Sequence, residues 1–84
     1  MTRIETITSA QNARIKELIS LQEKSRARRE KGLFVVEGRR ELSHCLQAGF
    51  KARSLFVCPE ILGPDEYREL KEIGCPISEI PAFL

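Results

Sequence analysis

Eighty-four residues carrying 14 Lys/Arg against 12 Asp/Glu, with 42% hydrophobic and 31% charged residues, describe one small soluble-type domain of net charge +2. A chain of this size buries only roughly 60% of the surface its unfolded form exposes, so its core is modest. No apolar run reaches the length of a membrane span, and the opening Met1-Thr2-Arg3-Ile4-Glu5-Thr6 lacks the charged-then-apolar pattern of a signal peptide. No membrane partner and a cytoplasmic location are the expectation.

The elements follow in chain order. Thr8-Ser9-Ala10-Gln11 fits a capping box, with Thr8 as the cap. Ile15, Leu18 and Ile19 recur at helical spacing and Leu21 widens the stripe, predicting a helix to about Gln22. Residues 23–31 hold five basic residues, two acids and no large apolar one, so they continue the helix or form a second short one outside the core. Gly32 ends it. Leu33-Phe34-Val35-Val36 is a continuous apolar run, predicting a strand covered on both faces. Glu37-Gly38 turns into a helix over Arg39–Ala48 with Leu42, Cys45 and Leu46 inward, stopped by Gly49 with Phe50 as the accompanying apolar contact. Ser54–Cys58 reads as a second strand. Pro64, followed by Asp65 and Glu66, opens another helix with Tyr67, Leu70 and Ile73 inward, and Ile77–Ile80 reads as a third strand.

Strand, helix, strand, helix, strand gives an α/β fold with a small parallel sheet and helices against it. Residues 1–32 then form an N-terminal helix and basic segment, and 33–84 the α/β domain. The apolar ending Ile80-Pro81-Ala82-Phe83-Leu84 resembles the start of a further element, so the chain is expected to be a truncated part of something larger.

Charge is unevenly placed. Residues 1–40 carry ten Lys/Arg against five Glu, whereas residues 41–84 carry four against seven Asp/Glu. A basic front half on a near-neutral chain points to a localised anionic partner. Lys24, Arg26, Arg28, Arg29 and Lys31 are spaced to neutralise successive phosphates, and Arg adds a planar fork that grips them bidentately. With cations outnumbering acids and no apolar stripe, nucleic acid is favoured over a merely solvated face. The second candidate is Glu37-Gly38-Arg39-Arg40, at the end of the expected strand. There a glycine and a helix N-terminus admit an anion, the arginines bind phosphate, and Glu37 fixes one of them or accepts from a ribose hydroxyl. The alternative, that Glu37 caps or pairs structurally and Gly38 permits a tight turn, stays open.

The remaining reactive side chains assemble into nothing. Cys45, Cys58 and Cys75 are odd in number and widely spaced, which argues against a disulfide framework or zinc site. His44 falls on the outer side of its helix. Asn12 and Lys16 decorate the first helix, either serving its N-terminal turn or joining a polar edge toward RNA. No phosphate-binding glycine loop, metal spacing or catalytic set is present, so no metal and no catalytic residue are expected.

Ile7-Thr8-Ser9-Ala10-Gln11-Asn12-Ala13-Arg14-Ile15-Lys16, the basic stretch, and Gly32-Leu33-Phe34-Val35-Val36-Glu37-Gly38-Arg39-Arg40 with Leu42 and Leu46 together resemble one family. It is the N-terminal substrate-binding domain of SpoU-type (TrmH-like) RNA ribose 2′-O-methyltransferases, with similarity dense from Ile7 to Val57. The resemblance implies a three-layer α/β/α fold like that of ribosomal proteins that bind kinked RNA. It also implies a structured ribosomal or transfer RNA as partner. In complete proteins a knotted domain follows that binds S-adenosylmethionine, performs the methyl transfer and forms the homodimer. That domain has no counterpart here, so this chain by itself is expected to bind no cofactor and catalyse nothing. Arg28, Glu37 and Arg39 match polar positions of the family motif, as do Asn12 and Lys16 in its opening. Two other readings remain: a freestanding ribosome- or kink-turn-RNA-binding protein, and a nucleotide-binding α/β fragment resting on the Glu37-Gly38 turn alone.

Overall fold

A computed structural model describes residues 3–82. In chain order the elements are β1 (Ile4–Thr6), α1 (Ala13–Glu23), α2 (Ser25–Lys31), α3 (Arg39–Gln47), β2 (Leu55–Val57), α4 (Pro64–Lys71) and β3 (Ile77–Glu79). They fall into two compact units, one of Met1–Ser9 with Lys51–Leu84 and one of Ala10–Phe50. The fold is a small α/β with a three-stranded, all-parallel sheet.

The first unit holds the sheet, in the order β1-β3-β2. Ile77 pairs with Ile4 on one side and Leu55 on the other, and Ser78 with Glu5 and Phe56. The central strand is covered on both faces: Ile77 is 1% exposed and Ser78 2%. Burying a hydroxyl without a partner costs free energy, and Ser78 Oγ meets Glu5 Oε1 at 3.4 Å. Ladder bonds continue past the strand ends, from Ile7 N–H to the Glu79 carbonyl at 2.8 Å and from Ile80 N–H to Val57 at 2.8 Å. Helix α4 is electrostatically matched at both ends, with Pro64 in its first turn beside Asp65 and Glu66, and Arg68 and Lys71 in its last. It is tied to β3 by the Tyr67 hydroxyl, which donates to the Glu79 carboxylate, while Lys71 Nζ lies 4.5 Å from the Tyr67 ring centre.

The sheet departs from expectation at one strand. Leu33–Val36 is irregular, not a strand, and the third strand is β1 at the N-terminus. A continuous apolar run becomes a strand only where ladder partners meet it. Leu33–Val36 belongs to the other unit, between the turn at Gly32 and the positive-φ Gly38. Ile4-Glu5-Thr6, short and half polar, gives almost no periodic signal, but its register places Ile4 beside Ile77.

In the second unit α1 begins later than the capping box implies. Ile7 is still bonded to the sheet, so Thr8 cannot turn into a helix. Asn12 is the cap instead, its Oδ1 accepting from Arg14 N–H at 2.9 Å. Ile15 and Leu21 are buried and Leu18 half-buried, whereas Ile19, expected inward, is 41% exposed. Helix α3 ends as its sequence predicts. Gly49, at φ 95°, follows it, the Phe50 N–H bonds the Cys45 carbonyl at 3.0 Å and the Gly49 N–H bonds Leu46 at 3.1 Å, the two bonds of a Schellman motif. The Cys45, Cys58 and Cys75 thiols are free, and burial pushes the Cys75 thiol up. The residues Phe83 and Leu84 in the apolar ending lie outside the described residues.

Two expectations follow. Ile77→Ala removes the most buried core side chain and lowers stability by about 2–5 kcal/mol in urea unfolding; a loss below about 1 kcal/mol would contradict the central place of β3. Burial, then the Glu79 hydrogen bond and its charge, push the Tyr67 phenol from 10.0 up to about 12. Because the folded value exceeds the unfolded one, this contribution to stability is complete below pH 10 and is lost as pH rises toward 12. The chain has a single tyrosine. Its absorbance titration in the folded protein should therefore have a midpoint well above that in urea, and equal midpoints would contradict the contact.

Candidate nucleic-acid interface

All eleven candidate residues, from Asn12 to Arg40, lie in the Ala10–Phe50 unit. Nine Lys/Arg and five Glu fall in this stretch, so it carries the positive charge of the chain. The basic segment is not a uniform row of free cations, because three of its members have structural partners. Arg28 turns back on α1: one Nη1 donates to the Leu21 carbonyl at 2.7 Å and the Gln22 carbonyl at 3.2 Å. Those carbonyls are in the last turn of α1, where the backbone lacks helical partners and the helix dipole favours a cation. Arg26 Nε pairs with Glu30 Oε1 at 2.8 Å one turn along α2, and Lys31 Nζ reaches Glu17 Oε2 at 3.6 Å. Both pairs are exposed and contribute little to stability.

Lys16, Lys24, Arg29 and Arg40 are exposed and have no ion pair among the described residues. Lys24 stands at the break between α1 and α2, its own N–H bonded to the Ser20 carbonyl at 2.9 Å. Arg29 sits on α2 and Lys16 one turn into α1, where its N–H bonds the Asn12 carbonyl at 3.1 Å. Asn12 is committed to capping through its side chain.

The Glu37-Gly38 turn is built differently from its sequence reading. No strand leads into it, so it does not lie at a strand's carboxyl end. Glu37 Oε1 accepts from Gln22 Nε2 at 2.9 Å, fastening the turn to α1. Gly38 adopts φ 89° and ψ 153° at the head of α3, a conformation L side chains rarely take. Arg39 and Arg40 occupy the first turn of α3, the positive end of the helix dipole, where a cation is electrostatically disfavoured. With Ser43, His44 and Gln47 they line a shallow hollow on the outer face of α3. Leu42, Cys45 and Leu46 are half-buried on its other side, and His44 is exposed.

Arg28 and Glu37, assigned from separate motifs, meet in one place. Together with Leu21, Gln22, Phe34, Val35, Val36, Glu41 and Cys45 they line an open groove of about 640 Å³. Phe34, expected in a covered strand, lines this groove and stands outside the core, and Phe50 packs against it. Phe34 is 51% exposed and Phe50 54%, their rings packed edge to face with centres 5.3 Å apart. Gln22 gave no signal in the sequence, since its role depends on a residue fifteen positions away. Among the described residues no three His, Cys, Asp or Glu side chains gather as metal ligands. None of the described helices is long and apolar enough to cross a membrane.

The sequence model of one family, the MRM3-like substrate binding domain, matches residues 12–81. The match includes every candidate residue and continues past Val57, where the resemblance seen in the sequence thins out. No curated protein and no solved structure matches.

Arg28→Met keeps the apolar stem but leaves the α1 carbonyls without their charged donor. It should cost about 1.5–3 kcal/mol of unfolding free energy. Arg29→Met, one position on and without an ion pair among the described residues, should change stability by less than about 0.5 kcal/mol. Equal effects of the two substitutions would contradict the structural assignment of Arg28.

Proposed function

Because the chain belongs to the MRM3-like substrate binding domain family, we propose that it is the RNA-gripping module of an RNA ribose 2′-O-methyltransferase of the SpoU type. The observation that carries this reading is the family match over residues 12–81, and the charge geometry agrees with it. Lys16, Lys24, Arg29 and Arg40 are the cations available to phosphate, with Arg39 beside them at the head of α3. Phosphate near Arg39 and Arg40 would offset the unfavourable placement of those cations at the positive end of the helix. Glu37, held by Gln22, presents a fixed carboxylate that accepts from a ribose hydroxyl. Arg26 and Lys31 add charge if their exposed pairs with Glu30 and Glu17 exchange for phosphate.

The partner in this reading is structured ribosomal or transfer RNA. Methyl transfer and dimerisation belong to a separate domain of the parent protein, where S-adenosylmethionine supplies the methyl group. The residues described here do not fit that donor. A small-molecule site encloses most of its ligand, whereas the groove beside Glu37 is open and walled by a half-exposed Phe34. This chain's residues bind and orient RNA.

Each phosphate contact releases counterions, so affinity should fall steeply with salt. With Lys16, Lys24, Arg29 and Arg40 engaged, the log–log slope is about −3 on the single-strand coefficient. Replacing Lys24, Arg29 and Arg40 together by alanine should flatten it by about 2. Filter binding or anisotropy across a salt series measures both. A flat salt response in the parent sequence, or an unchanged slope in the triple variant, would contradict the reading.

A further inference from the structure

The exposed aromatic pair is unexplained by phosphate binding. Phe34 and Phe50 are each more than half exposed, 51% and 54%, and both lie outside helices and strands. Exposing two phenyl rings side by side is unfavourable in water, and single exposed apolar residues are a different, ordinary matter. Their edge-to-face contact at 84° restrains both rings, and each stays more than half exposed. The backbone holds them as well: Phe50 follows the Gly49 turn and bonds Cys45, while Phe34 follows the Gly32 turn. They form a platform restrained before anything binds.

The adjoining groove says what kind of group would sit there. Phe34 shares it with Glu37, Glu41 and Arg28, whose guanidinium is already turned onto the α1 carbonyls. Two carboxylates repel phosphate and accept hydrogen bonds, so the complementary occupant is flat, uncharged and rich in N–H donors. On a unit whose Lys/Arg exceed its Glu nine to five, the polyanion that supplies such a group is RNA with an unstacked base. Guanine, with adjacent N1–H and N2–H donors on one edge, matches a carboxylate acceptor best, and uracil offers one N–H there.

Building on the RNA-binding reading above, we propose that an unpaired nucleobase of the bound RNA, guanine by preference, stacks on the Phe34–Phe50 pair with its donor edge toward Glu37 and Glu41. Stacking is insensitive to salt, unlike the phosphate contacts. The two contributions therefore separate in one experiment.

The test uses the whole 84-residue chain and fluorescein-labelled heptanucleotides UUUNUUU, with N as G, A, C, U or an abasic site, read by anisotropy across a salt series. The G oligonucleotide should bind most tightly and the abasic one most weakly, by roughly 5- to 150-fold between them. Phe34→Leu and Phe50→Leu keep apolar bulk for folding but lose the π-face. Each should erase most of that difference without altering the salt slope, and Phe34→Trp should restore it. Glu37→Gln with Glu41→Gln should weaken the preference for G over U. Equal binding of the G and abasic oligonucleotides, or full base discrimination in both Leu variants, overturns the platform. In that case salt-dependent binding persists. Absence of binding to every oligonucleotide while a structured RNA still binds with the expected salt slope also overturns the platform, whereas absence of salt-dependent binding to the structured RNA as well removes the RNA reading itself.

Discussion

The guanidinium of Arg28, folded back onto the Leu21 and Gln22 carbonyls, is the interaction around which the basic unit is arranged. A helix that ends in water leaves its last carbonyls unsatisfied, and a cation from the next helix satisfies them while complementing the dipole. That one contact fixes how α2 leaves α1. It turns Arg28 inward, to the wall of the groove, and leaves Lys24 and Arg29 outward. The same last turn of α1 supplies Gln22, whose amide holds Glu37. The two motifs suspected of gripping RNA are thus fastened to a single helix end.

The sheet unit is organised on a different principle. Three strands of three residues each provide few hydrogen bonds, so the sheet depends on burial of its central strand and on bonds that run beyond its ends. Ile77 and Ser78 are almost wholly buried although they point to opposite faces. The Tyr67–Glu79 contact then ties α4 to the sheet within this unit. Acidic residues outnumber basic ones here, seven to five, so the unit offers polyanions little attraction.

Helices α3 and α4 were legible in the sequence because their signals are local. Pro64 with two acids, or Gly49 followed by Phe50, fixes an end through backbone chemistry within one turn. Long-range pairing was not legible. Leu33–Val36 has the composition of a buried strand but no ladder partner, while Ile4–Thr6 lacks a strand's composition and gains its place from Ile77. The start of α1 shows the same contest: Thr8 and Gln11 satisfy the capping pattern, yet the bond from Ile7 to Glu79 keeps the chain extended and hands the cap to Asn12. At the site, residue types were readable and partners were not. Charge spacing singles out Lys24 to Lys31, but the distinction between a capping Arg28 and a free Arg29 exists only in three dimensions.

The positive charge lies in the Ala10–Phe50 unit and a net negative charge in the sheet unit, so RNA is proposed to contact the first and not the second. Titrating the isotope-labelled chain with a structured RNA and following backbone amide shifts tests that division most directly. Shifts concentrated in Ala10–Phe50, strongest around Lys24–Arg29 and Phe34–Arg40, with β2, α4 and β3 nearly unmoved, are the predicted result. Shifts concentrated in Leu55–Glu79, or spread evenly over the chain, would contradict it.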